Sequence, residues 1–242
     1  MNTTIRSFLV LATAVTFALS PVLLGGFGGY DTTAFPVPMA DPPMQPEGWA
    51  FSIWGPIYLW LIAMTAFGAF KRRDDPGWDV TRVPLAISLA IGTIWIAAAE
   101  RSPILATGLI WLMLATAIVA LVRTPRRDRL LLRAPVALYA GWLTAASAVS
   151  LGLIAAGHGV LGLAPDAWTF VTLSLTLLIA VPTILLRPTI PYVLAIVWAL
   201  AGIAAGIPPI FLLAYAVVGA GALLFLLATQ ARRILAPNPP KA

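Results

Sequence analysis

The sequence predicts an all-α fold, a polytopic membrane helical bundle of eight transmembrane helices, and three observations lead there. Of the 242 residues, 60% are apolar and 10% charged, with a mean hydropathy of +0.94, whereas a soluble domain carries about a quarter charged residues. One core cannot bury that apolar surplus, so lipid must solvate most of it. Apolar runs follow one another along the whole chain, most of them near the ~20 residues that a helix needs to cross a bilayer. The basic residues, finally, alternate from side to side along these runs, as topology determinants do.

The first run covers 7–29. Arg6 ahead of it and Ala18-Leu19-Ser20 within it would fit a cleavable leader. Pro21 would follow the cut directly, however, and the run continues to Gly29, so it reads as a first span. The segment 30–48 is acidic and carries five prolines. Proline-rich loops are semi-rigid and extended, and this one reads equally as a lid over the helix ends or as a plain connector. Runs 49–70, 84–99 and 103–122 come next. The run 84–99 is short, and Glu100-Arg101-Ser102-Pro103 forms a tight hairpin after it. The remaining runs are 134–156, 167–186, 189–207 and 210–231, the last two split by Gly206-Ile207-Pro208-Pro209. Residues 232–242 form a tail.

With the N-terminus inside, fourteen of the fifteen Lys and Arg fall inside: Arg6, the 71–82 and 123–133 loops, Arg187, Arg232, Arg233 and Lys241. Only Arg101 is outside. One span more or fewer would scramble this pattern, so both termini are expected to be cytoplasmic. The net charge of +6 therefore marks topology and not nucleic-acid binding. The basic 123–133 loop also suits contact with anionic headgroups.

Several chemistries are excluded. There is no cysteine and a single histidine, His158, so thiol catalysis and a multi-histidine metal site fall away. No Asp, Glu, Lys, Arg or His lies within any of the eight runs. Intramembrane ionisable groups mark proton relays and ion coupling, and acid–base catalysis needs a titratable group. No catalytic residue and no metal ligand is therefore expected, and the chain reads as a binder rather than an enzyme. Shape, aromatic faces and hydroxyls suit an apolar or flat ligand.

Nine tryptophans are present. Trp49, Trp78 and Trp168 fall at span ends or in a loop, as interfacial belts do. Trp54, Trp95, Trp111 and Trp142 lie deeper. Phe51, Trp54 and Tyr58 follow i, i+3, i+7 and share an arc of about 60°, with Trp60 pointing away to lipid. Ser88, Gly92 and Trp95 form another face, and Pro135, Tyr139, Trp142, Ala146 and Ser150 a third. Such faces serve close helix packing as well as a ligand cavity.

Residues 42–58, PPMQPEGWAFSIWGPIY, resemble the first loop and second helix of the tryptophan-rich sensory protein (TspO) family. These are bacterial relatives of the mitochondrial translocator protein, the peripheral benzodiazepine receptor. Residues 134–147, APVALYAGWLTAAS, resemble the family's P-Y-x-x-W-x-x-F-A segment, and Trp95 stands where its third-helix tryptophan would lie. The resemblance covers roughly 7–156. It departs in lacking one residue between Phe51 and Trp54, which on an α-helix turns Phe51 by about 100°. It departs also in Gly92, where the family has Asn, and Ser88, where it often has Gln.

The resemblance implies a five-helix core (1–156) with a pocket under the first loop, extended here by three further helices (157–231). It implies a ligand site of Phe51, Trp54, Tyr58, Trp95, Tyr139, Trp142 and Ala146. The ligand implied is a flat apolar molecule such as a porphyrin (tetrapyrrole) or sterol, with no obligatory cofactor. A bacterial inner-membrane location and a tendency to form a homodimer are implied too. The added helices are expected to pack as a separate layer, with Trp198 and Tyr215 outside the cavity. Gly202 and Gly206 form a G-x-x-x-G pattern read as an intramolecular packing face, with a dimer seam as the alternative. Other functions remain open: a carrier for another small metabolite, an assembly subunit of a membrane pigment complex, or a tetrapyrrole-modifying enzyme. The missing buried charges count against the first of these.

Overall fold

The structure, a computed structural model, describes residues 2–31, 33–39, 41–206 and 208–230. The tail 232–242, with Arg232, Arg233 and Lys241, lies outside the described residues. Among the described residues there are eight α-helices: α1 (Thr3–Leu24), α2 (Trp54–Lys71), α3 (Pro76–Arg101), α4 (Pro103–Arg123), α5 (Ala134–Gly157), α6 (Pro165–Leu186), α7 (Ile190–Ala205) and α8 (Ile210–Thr229). Their starts follow local chemistry. Asp75 caps α3 by accepting from the Gly77 N–H, and Ser102 caps α4 by accepting from the Leu105 N–H. Proline opens both helices, where its missing N–H costs nothing.

The protein is a multi-pass membrane bundle, with seven helices among the described residues long and apolar enough to cross a bilayer. The eighth, α7, has 16 residues, about 24 Å at 1.5 Å per residue against a ~30 Å hydrocarbon core. Gly206 and Pro208 stop it short of the run read from sequence.

The start of α3 corrects the sequence reading. It has 26 residues, because the Asp75-Pro76 cap starts it well before 84. The stretch 71–82, read as a loop, is thus helical from Pro76 onward. Asp79 and Arg82 lie inside a span, so only its middle is free of ionisable groups. Trp78, read as an interfacial residue, is 2% exposed.

Packing divides the bundle into two rings that share α5. In the first, α1 packs on α2 and α3, α3 on α4, and both α4 and α2 on α5. In the second, α6 and α7 pack on α5, and α8 packs on both of them. All of α5 except Leu138, Ala146, Leu151 and Ile154 is buried. Small residues permit this, since side-chain volume sets how near membrane helices approach. At Gly141 a Cβ would fall 2.3 Å from the Tyr192 carbonyl oxygen, so only glycine lets α7 come so close. The Thr144 and Tyr192 hydroxyls meet across the same contact at 3.0 Å.

The turns leave two unlike ends. Residues 25–31, 33–39 and 41–47 and the turns at 102, 158–164, 206 and 208–209 gather at one, here called the lid end. The N-terminus and the 72–75, 124–133 and 187–189 turns gather at the other, the arginine end.

Candidate functional site

At the lid end a 3-10 turn, Gly48–Ile53, leads into α2. Residues i and i+3 eclipse in a 3-10 helix, so Phe51 comes over Trp54. This offsets the rotation that the missing residue would cause on an α-helix. Trp54 stacks on Tyr58 with centroids 5.4 Å apart. Trp142 of α5 meets Trp54 edge-on at 6.0 Å and Phe51 at 5.8 Å. Trp95 of α3 is steadied by its indole N–H, which donates to the Ala106 carbonyl at 2.9 Å, and its ring meets Phe27 at 4.9 Å.

These rings bound a two-lobed cavity. Phe27, Phe51, Trp54, Trp95 and Ile110 belong to both lobes. The lobe beneath the lid adds Tyr30, Gln45, Pro46, Trp142 and Ala146 and has a free volume of about 50 Å³. The other reaches Phe17, Tyr58, Gly92 and Met113, with about 180 Å³. Among the described residues no charged side chain lines either lobe. The Trp142 indole N–H and the Tyr30 hydroxyl are buried there without a hydrogen-bond partner among the described residues, an uncommon state for buried polar groups. Burial also pushes the Tyr30 phenol up to about 12.

Segment 30–48 covers this end. The Val37 N–H donates to the Gly157 carbonyl at 2.9 Å, and the Glu47 N–H to that of Gly202 at 3.1 Å. Phe35 lies on Gly157, where a Cβ would fall 2.4 Å from its Cγ. Gly202, first of the G-x-x-x-G pair, faces Pro46 and Ala50 of this chain.

A family model described as TSPO-like protein matches residues 5–229. The chain belongs to the TSPO-like protein family. The match runs through α6, α7 and α8 as well as the stretch 7–156 where the sequence resemblance was visible. Searches of curated proteins and of solved structures returned no match.

Against the family pattern, this TSPO-like chain brings Phe51, Trp54, Tyr58, Trp95, Trp142 and Ala146 to the cavity wall. Tyr139 stands behind it, fully buried, with its hydroxyl on the Ser88 Oγ at 2.8 Å and its ring 5.9 Å from Phe17. Ser88 is committed further by donating to the Met113 carbonyl. At Gly92 a Cβ would lie 2.5 Å from Phe17 Cε2; a phenyl ring from α1 occupies the space that a larger residue would claim.

Sequence reasoning missed Phe17, Phe27, Val149, Leu153 and Ala199 as lining residues. Nothing but helix packing distinguishes them from lipid-facing residues. Ala199 also brings α7 to the cavity, so the added helices do not stand wholly apart. Trp198 and Tyr215 stay outside it: the Trp198 indole donates to the Ala50 carbonyl at 2.8 Å, and Tyr215 pairs with Ser174 at 2.9 Å. Trp60 is not simply lipid-facing either, since its indole N–H donates to the Leu130 carbonyl at 3.1 Å.

Proposed function

We propose that this protein is a non-enzymatic membrane receptor or carrier that binds flat apolar molecules, porphyrins among them, in the cavity beneath segment 30–48. The observation that carries the reading is an aromatic, uncharged, lid-covered space holding two polar groups without partners. Stacking on Trp54 and Trp142 supplies affinity, and the Trp142 N–H supplies one directional contact. The positive-inside rule favours a bacterial inner-membrane orientation with the arginine end cytoplasmic.

The volumes add a condition. The larger lobe, about 180 Å³, is below the ~300–1,000 Å³ of pockets for drug-sized ligands, so binding requires the lid to move. Phe27 is the natural gate. It lines both lobes and sits among Gly25, Gly26 and Gly29, all in the left-handed region with φ of 87°, 76° and 115°, which frees the backbone around it. The test is quenching of tryptophan fluorescence by protoporphyrin in the reconstituted protein. Saturable quenching, weakened by Trp142→Ala and opposed by an unlabelled flat competitor, supports the reading. Non-saturable quenching, unchanged by that substitution, overturns it.

A further inference from the structure

Phe51 reaches the cavity through the 3-10 turn Gly48–Ile53, which has six residues. Runs of that geometry longer than three or four residues are uncommon, because their hydrogen bonds are poorly aligned. Contacts from outside the turn must therefore help to hold it. Phe51 itself supplies little, since its ring meets Phe27 and Trp142 edge-on, at 6.0 and 5.8 Å.

The holding contacts come from α7. The Trp198 indole N–H donates to the carbonyl of Ala50, in the middle of the turn, at 2.8 Å. One helical turn further along α7, the Gly202 carbonyl accepts from the Glu47 N–H at 3.1 Å. Ala50 is fully buried against Gly202, where a Cβ would fall 2.7 Å from the Ala50 Cβ and 3.0 Å from that of Pro46. The Trp198 ring also meets Trp49 edge-on at 5.0 Å. Trp198, Ala199 and Gly202 fall within an arc of about 100°, so a single face of α7 holds the turn and, through Ala199, lines the cavity. The support is firm. Tyr192, Ala195 and Ile196 of α7 are fully buried, and the Tyr192 hydroxyl meets Thr144 of α5 at 3.0 Å. The two rims of the cavity thus differ: Phe27 is set among left-handed glycines, whereas Phe51 is clasped from behind.

We propose that Trp198 is a positioning residue of the cavity: by holding the Ala50 carbonyl it fixes the turn that keeps Phe51 over Trp54. A side chain outside the cavity, on one of the three helices beyond the 7–156 stretch, thereby sets the affinity of the site. The inference rests on the reading of that cavity as a ligand site.

Two readouts on the full chain in nonionic detergent provide the test: hydrogen–deuterium exchange over 47–53 without ligand, and affinity from protoporphyrin quenching. Trp198→Phe keeps an aromatic ring and, because Trp198 is 38% exposed, disturbs little packing. It should speed exchange over 47–53 and weaken binding, each about fivefold, the cost of one hydrogen bond. Exchange over 60–70, within α2, should not change. Gly202→Ala drives a methyl group against Ala50 and should weaken binding about tenfold. Ala50→Gly added to it restores the space and should regain most of that loss. Tyr215→Phe removes a hydroxyl contact of 2.9 Å with Ser174 in the same added helices and should move neither readout. In a chain that binds, Trp198→Phe must move both readouts; if either stays unchanged, or if Tyr215→Phe weakens binding equally, the proposal is overturned. If protoporphyrin does not quench saturably even without substitution, the ligand reading falls and exchange alone decides. Faster exchange over 47–53 in Trp198→Phe would then still support Trp198 as the residue that holds the turn, and unchanged exchange would overturn it.

Discussion

The same helices meet on different terms at the two ends of the bundle. At the lid end α2, α3 and α5 are separated by aromatic rings set edge to face, around a space lined by no charged side chain among the described residues. At the arginine end they are laced together. Arg6 grips Asp79 with contacts of 2.9 and 2.5 Å. Arg82, 3% exposed, reaches Asp79 at 3.1 Å and the carbonyls of Arg72 and Arg73 at 2.7 Å each. Arg127 pairs with Asp75, and Asp128 joins Arg72 to Trp78. Lipid tails are as apolar as the helix faces, so burial of apolar surface does not drive helices together in a bilayer. A cavity at one end therefore depends on fixed contacts at the other. The difference teaches a division of labour along the bundle axis, with frame at one end and site at the other.

The largest expected effect comes from breaking the frame. Arg82→Leu leaves carbonyls at the end of α2 unsatisfied and Asp79 with one partner fewer. Removing one member of a buried ion pair costs about 3–5 kcal/mol, to be read as a lowered unfolding midpoint in detergent. The fraction that stays folded should quench with protoporphyrin at unchanged affinity. An affinity that collapses while the midpoint holds would mean that the two ends do not divide the labour.

Breaking the site should do the reverse. Trp142→Ala removes a cavity wall and should cost about 1–3 kcal/mol of ligand binding, by analogy with base–aromatic stacking. Trp60→Phe at the opposite end keeps an aromatic ring but loses the hydrogen bond to Leu130, worth about 1 kcal/mol of stability, and should leave affinity unchanged. Equal affinity losses from both, following the melting temperature, would make Trp142 a packing residue and no more.

The two ends were unequally legible in the sequence. The spans were plain because lipid demands long apolar runs, and the tight hairpin at 100–103 was plain because Ser102-Pro103 is a helix start. The beginning of α3 was as plainly written in Asp75-Pro76. It was misread because charge implied a loop, whereas Asp79 and Arg82 are satisfied within the helix end. Trp54, Tyr58 and Trp142 were found because helical spacing keeps them on inward faces. Phe51 came back to the cavity through a 3-10 turn that no periodicity announces. Phe17, Phe27 and Ala199 come from α1, a loop and α7, and only tertiary packing brings them together.

A smaller effect should follow from disturbing the lid alone. Gly157→Ala places a methyl group where Phe35 now rests, and overpacking of this kind costs about 1–3 kcal/mol. Because Phe35 belongs to segment 30–48, that strain should loosen the lid and speed ligand association in stopped-flow quenching. The contacts at the arginine end should be unaffected. Slower association would show that Phe35 does not hold the cavity shut.

The smallest effect separates the ends by pH. The Arg72 guanidinium, helped by the Trp78 indole and Arg127, holds the Asp128 carboxyl below the usual carboxylate range. A depressed carboxyl contributes stability above its unfolded pKa and loses it as pH falls through the folded one. Acid should therefore loosen the arginine end, by on the order of 1 kcal/mol or less for a pair so near the surface. Tyr30 works the other way. Burial raises its phenol to about 12, so its contribution is complete below the ordinary tyrosine pKa of about 10 and is lost as pH climbs towards the folded value. Alkali should therefore loosen the lid. The chain has no cysteine, so Arg123→Cys and Val37→Cys each offer one attachment point for an environment-sensitive dye. The dye at 123 should respond in acid and be silenced by Asp128→Asn; the dye at 37 should respond in alkali and be silenced by Tyr30→Phe. If both dyes respond together at either extreme, the ends open as one cooperative unit and the frame cannot be separated from the site.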